Sequence, residues 1–264
     1  MNQINFIQTY YKGFSCYVPH SKVNLVLKDI YELFFKEKGF TEHFFIYFDD
    51  RLGRGFRIFL QTEYSSELLL NKFLDFFKTY VSDNQNLNTQ HQFFKTYPPF
   101  SIVPMRFIEE SDEIFTTKNN VQSVQNLLEN LIFLIIQKTE DFDFSDGDQK
   151  LEFTLELLIA GVAFNQFSSL SIQKEFKFLL KSIPGYKKYL DDNYARTVED
   201  NKDNIAAFKK SLVLAESRDN LLTLFWERNQ IGDTEKIFEI IFKVLNISNQ
   251  QKCYCLYVLQ KTQE

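Results

Sequence analysis

A chain of 264 residues can bury one large hydrophobic core or two modest ones. Its 30 basic and 35 acidic residues are interspersed for a net charge of −5, so it has no basic field of the kind a phosphate backbone demands, and no nucleic-acid partner is expected. Thirty Phe and 13 Tyr against 8 Gly and 5 Pro make the composition apolar and permissive of helix. The three cysteines, Cys16, Cys253 and Cys255, form neither a disulfide framework nor a CxxC metal pair and read as reduced thiols. The first residues, MNQINFIQTYYKG, lack the basic and apolar regions of a signal peptide, and no run approaches the ~18 apolar residues of a membrane span, so a cytoplasmic location is expected.

In chain order, Asn5 to Lys12 is short, aromatic and partly alternating, which suits a strand. After Pro19, the spacing of Val23, Val26, Leu27, Ile30, Leu33 and Phe34 predicts an amphipathic helix ending near Gly39. Glu42 to Thr62 then reads as a hairpin, with strands at His43 to Phe48 and Phe56 to Leu60. Side chains alternate along a strand, so Phe56, Ile58 and Leu60 form one face, assigned to the core, while Gly55, Arg57, Phe59 and Gln61 form the other. A second helix, opened by Ser65 or Ser66, carries Leu68, Leu69, Phe73, Phe76, Phe77 and Tyr80. Asp83 to Gln92 is a polar loop. Phe93 to Ile108 contains Pro98, Pro99 and Pro104, so it can only be an edge strand, two short strands or an irregular crossing segment. The order β, α, β, β, α, β predicts a ferredoxin-like α+β unit with two helices on one face of an antiparallel sheet.

From Lys118 the pattern turns helical. Stripes run over Val121 to Ile135, Leu151 to Val162, Phe176 to Ile183, Ala206 to Leu214, Leu221 to Trp226 and Ile237 to Leu245, the first two joined by the acidic linker Glu140 to Asp148. The division is placed as a sheet unit over 1–115 and a helical region over 116–264. The two either stand apart or form one continuous domain in which the helices border the second face of the sheet.

Motifs exclude much. His20, His43 and His91 make no HxxxH or HExxH spacing, and there is no GxSxG, GxxxxGK[ST] or GxGxxG, so neither metal, cofactor nor nucleotide is expected. The acidic linker lacks the terminal Glu of a calcium loop and reads as solvated. Arginine is the residue to follow, because Arg51, Arg54 and Arg57 share one loop and strand. They form either a solvated turn with a structural ion pair, or a guanidinium held on a sheet face to receive a carboxylate or phosphate.

The segment FFIYFDDRLGRGFRIFL resembles the FFIRYxDxxxHLRLRF segment of the thiopeptide-type bacteriocin biosynthesis domain, the C-terminal glutamate-elimination domain of lantibiotic dehydratases. FIQTYYKG and the helix after it look like the opening of that domain, and DNLLTLFWERNQIGDTEKIFEIIFKVL is similar to its SLLHMxxNRLxGxxxxxExxxxxLxxxxL signature. The resemblance spans nearly the whole chain and implies maturation of a ribosomally made peptide, by elimination of glutamate from glutamylated Ser or Thr or by the cyclisation of dehydroalanines that a related branch performs. It implies arginines that hold the substrate, here Arg57, Arg106 and Arg228. It also implies a histidine for proton transfer. The histidine of HLRLR falls on Gly55, its second arginine on Phe59, and the histidine of the helical signature on Thr223. Threonine cannot take a histidine's role near neutral pH. The implied partners are a precursor peptide and a separate glutamylating dehydratase protein; oligomeric state stays open, a homodimer included. A non-catalytic protein that binds the precursor or the dehydratase is the alternative.

Overall fold

A computed structural model describes residues 11–35, 43–49, 55–83, 97–105, 121–214, 220–229 and 234–263. Strands β1 (Tyr11–Tyr17), β2 (His43–Phe48), β3 (Phe56–Gln61) and β4 (Ser101–Pro104) form one antiparallel sheet in the order β2-β3-β1-β4. Helices α1 (Val23–Ile30), which runs on into a wider π turn at Tyr31–Phe35, and α2 (Ser66–Asp83) complete the predicted ferredoxin-like unit. The hairpin strands lie where alternation places them. Of the stretch Asn5 to Lys12, Tyr11 and Lys12 lie in β1, which runs on to Tyr17; Asn5 to Tyr10 fall outside the described residues, as do Gly39 and Asp50 to Arg54. The proline-rich segment supplies the edge strand β4, as a residue without an N–H requires.

Register sorts the side chains. Opposite Arg57 stand Ser15 on β1 and Tyr47 on β2, and opposite Ile58 stand Phe14 and Ile46. The Ile58 face carries α1 and α2. Phe73 of α2 lies 5.3 Å from Phe14, and the Tyr80 hydroxyl of α2 donates to the Asp29 carboxylate of α1. Val23, Val26, Leu27, Ile30, Leu69 and Phe73 are buried there. Ser65, one of the two predicted openers, caps α2 by accepting from the Leu68 N–H at 3.2 Å.

The chain divides into two compact units, Met1–Asp146 and Gly147–Glu264. This boundary falls after α3 (Val121–Gln137) and the acidic turn, later than the 115/116 division predicted, because α3 packs along β2. Asn24 of α1 fastens the acidic turn. Its amide donates to the carbonyls of Thr139 (3.0 Å) and Phe142 (2.6 Å), and its oxygen accepts from Phe144 N–H (3.0 Å). Within the turn, the Asp143 carboxylate accepts from the Ser145 N–H at 2.9 Å.

The second unit is helical: α4 (Gly147–Ala163), α5 (Ser169–Ser182), α6 (Tyr186–Asp200), α7 (Lys202–Val213), α8 (Leu221–Arg228), α9 (Thr234–Val244) and α10 (Asn249–Lys261). Neither α6 nor α10 shows as a stripe in the sequence. On α6 only Leu190 and Val198 are buried, while on α10 Cys255 to Leu259 are buried consecutively, so one has too few apolar residues for a stripe and the other too many. The core centres on Trp226, whose indole N–H donates to the Leu157 carbonyl at 2.9 Å. Phe167 meets Trp226 edge-on at 5.3 Å and stacks on Phe238 at 4.4 Å. Gly161 permits this approach, since a Cβ there would lie 2.3 Å from the Phe167 ring and 2.8 Å from Trp226.

Gly161→Ala is expected to lower stability by about 2 kcal/mol through overpacking. Asn24→Ala is expected to cost ~2 kcal/mol for its lost hydrogen bonds. Urea unfolding followed by circular dichroism checks both.

Candidate functional site

The Arg57 side of the sheet carries a buried ion pair and several polar side chains, whereas the strand residues described on the helix-bearing side are apolar apart from Lys12 at its end. Alternation and register put Tyr11, Gly13, Ser15 and Tyr17 of β1, His43, Phe45 and Tyr47 of β2, and Arg57, Phe59 and Gln61 of β3 on this one face. It is buried almost as thoroughly as the other. Arg57 is 5% exposed and Asp49, just beyond β2, is 2% exposed. Burying a guanidinium requires a counter-charge, and Asp49 supplies one, with its Oδ2 3.3 Å from Arg57 Nε. The guanidinium carbon also sits 5.8 Å from the centre of the Tyr47 ring, within cation–π range. The hairpin holds this pair in place, because the Asp49 N–H donates to the Gly55 carbonyl (3.1 Å) and the Gly55 N–H to the Cys16 carbonyl (3.0 Å).

Beside the ion pair lies an aromatic floor. Phe45 and Phe59 stack at 4.7 Å with their planes 12° apart, and Tyr47 and Tyr11 tilt against Phe45 at 5.2 and 5.1 Å. At the far end of the floor a second polar group forms. Tyr11, Gln61 and His43 stand side by side on three strands, since Gln61 is in register with both others. Helix α3 brings Gln125 and Glu129 to them, one turn apart. The Gln125 amide donates to the Tyr11 hydroxyl (2.7 Å) and to Gln61 Oε1 (3.3 Å), and His43 Nδ1 pairs with Glu129 Oε1. Burial raises the Tyr11 hydroxyl to about 12, with the Gln125 hydrogen bond opposing and the Glu129 charge assisting. Burial likewise holds the Glu129 carboxyl above its ordinary value, against the pull of His43 and the Phe44 N–H.

Of the arginines read from the sequence, Arg57 is on this face. Arg228 lies exposed at the end of α8, in the second unit, and Arg106, Arg51 and Arg54 fall outside the described residues. The positions at which the resemblance places other polar groups are closed. A Cβ at Gly55 would come 3.2 Å from both Val18 and Val23, and Phe59 is fully buried. Thr223 is 3% exposed, and its hydroxyl donates to the Leu212 carbonyl at 3.2 Å. Burial pushes the Cys16 and Cys255 thiols far above their usual range and Cys253 to about 11, so none is a nucleophile near neutral pH. Among the described residues no cluster of His, Cys, Asp and Glu could hold a metal ion, and no helix is long and apolar enough to cross a membrane.

Sequence reading missed the pairing of His43 with Glu129. The visible signal was weak: Gln125 and Glu129 interrupt the apolar stripe of α3 at a spacing of four, on the side that also holds buried Leu128 and Ile132.

Compared with solved structures, the chain is similar to the pyridine synthase TbtD from thiomuracin biosynthesis, with a TM-score of 0.60 over 96% of this chain and 97% of that one at 11% identity. At this identity the likeness is one of fold. No protein-family model matches the sequence, and no curated protein matches it.

Arg57→Ala is expected to destabilise the protein by about 3 kcal/mol, because it withdraws the counter-charge from buried Asp49. The double variant Asp49→Asn with Arg57→Met, which removes both charges, is expected to recover more than half of that loss in urea unfolding.

Proposed function

We propose that this protein matures a ribosomally made peptide of the thiopeptide or lantibiotic class by cyclising a dehydrated precursor. The observation that carries the reading is the end-to-end likeness to a pyridine synthase, which takes in the sheet unit and the helical half alike. Cyclisation is preferred to glutamate elimination on chemical grounds. Elimination must abstract a Cα proton, and the two positions at which the resemblance places a histidine hold a glycine, where a Cβ would press to 3.2 Å from Val18 and Val23, and a buried, hydrogen-bonded threonine. Ring closure between unsaturated side chains depends chiefly on holding two groups in reacting geometry. Arg57 is assigned to the precursor on this reading, with Arg106 and Arg228 as further contacts to its carboxylates. A dehydratase that prepares the precursor is the partner the chemistry requires.

The reading is tested by incubating the pure protein separately with a dehydroalanine-containing and a glutamylated precursor peptide and following mass. Ring formation on the first and no loss of glutamate from the second are expected. Loss of glutamate would make the protein a lyase. Binding without any mass change would leave the non-catalytic binding module. Arg57→Lys keeps a positive charge near Asp49 but loses the planar fork, and is expected to weaken peptide binding at least tenfold with little change in stability. Unchanged binding and turnover in this variant would remove Arg57 from the site.

A further inference from the structure

Helix α5 (Ser169–Ser182) lies on the core of the second unit by one face only. Ile172, Phe176 and Leu179 are buried, and Phe176 stands 6.3 Å from Tyr257 of α10. At about 100° per residue, Leu170, Lys174, Lys177, Phe178 and Lys181 fall within an arc of about 100° on the opposite side, and all five are exposed. Leu170 at 75% and Phe178 at 65% are the two most exposed large apolar side chains among the described residues. Single apolar side chains at a surface are ordinary, but here the two extremes share one helix face, about 12 Å apart along its axis. The lysine stems between them add their methylenes, so the strip is continuous and carries its ammonium groups along it.

The charges are as one-sided as the apolar residues. Lys174 is answered by Glu235 of α9, whereas Lys177 and Lys181 form no ion pair among the described residues. The single acidic residue of α5, Glu175, is half-buried and lies outside the arc. A chain of net charge −5 thus turns a basic, apolar strip to solvent.

The geometry points to this face of α5 as a docking surface for an acidic amphipathic helix of a partner protein. The inference stands on the second unit alone and does not rest on the proposed function. Two apolar knobs two turns apart match apolar residues at i and i+7 or i+8 of a facing helix packed at about 20° to α5. Glutamates or aspartates beside those residues meet Lys177 and Lys181, which orients the helix and rejects basic partners. A facing helix of about four turns buries on the order of 1,000 Å² in total, the size of a reversible contact. Other occupants match less of the strip. An anionic bilayer repels a chain of net charge −5, which two unanswered lysines offset only in part. A second copy pairing α5 with α5 sets lysines against lysines. An extended peptide finds neither groove nor sheet edge on a convex helix face.

The test uses the full chain and a synthetic helix of about 18 residues, with leucines spaced as above and flanked by glutamates. A scrambled peptide of the same composition keeps the charge and loses the apolar face. Fluorescence anisotropy is expected to show the patterned helix binding at least tenfold more tightly than the scrambled one, and NMR to show amide shifts centred on α5. Leu170→Ser with Phe178→Ser, and Lys177→Glu with Lys181→Glu, are each expected to weaken binding at least tenfold. Melting temperature stays nearly unchanged in both, because these side chains are already in solvent. Absent binding, equal binding of the two peptides, or binding that survives both double variants would overturn the inference. Phosphatidylglycerol vesicles and sedimentation velocity of the protein alone probe the other occupants. Vesicle binding abolished by both double variants would assign the strip to a membrane, and self-association abolished by Leu170→Ser with Phe178→Ser would assign it to a second copy. Either result overturns the partner helix.

Discussion

A buried guanidinium cannot exist without its carboxylate, and much of the sheet unit follows from that constraint. Arg57 and Asp49 lie 3.3 Å apart at 5% and 2% exposure, where one charge alone would cost several kcal/mol. Keeping them together demands a hairpin whose register is right to the residue, because a slip of one would send Arg57 to the apolar face among Phe14 and Ile46 and turn Ile58 away from it. The backbone bonds from Asp49 to Gly55 and from Gly55 to Cys16 hold that register at the end where the chain turns. A pair that must be made correctly or not at all is also a device for specifying one fold, here at the price of apolar contacts that both positions could have made.

The two faces of the sheet then do different work. On one side, α1 and α2 cover an apolar surface and are tied to each other through Tyr80 and Asp29. On the other, an aromatic floor runs between two polar groups, the Arg57–Asp49 pair and the row that ends in His43 and Glu129. The structural likeness to a pyridine synthase is one of fold, and it takes in both the sheet unit and the helical half. The departures from the resembled motif have a physical form: where it has a histidine and a second arginine, this chain has a glycine wedged against Val18 and Val23 and a phenylalanine stacked into the floor.

What the sequence by itself determined is everything that depends on local periodicity. Alternation located both hairpin strands and sorted Arg57 from Ile58, prolines confined β4 to an edge, and the apolar stripes of α3, α4, α5 and α9 stood out at helical spacing. The element order was enough to predict the ferredoxin-like sheet, because so few topologies accept it. Tertiary structure alone decided what depends on approach across long separations in the chain. It gave Arg57 a partner in Asp49, joined α3 to the sheet unit so that the boundary fell after it, and brought Glu129 to His43 across 86 residues. No local pattern carries such information. A glutamate on a helix and a histidine at a strand start each look solvated until the packing angle of that helix sets one against the other.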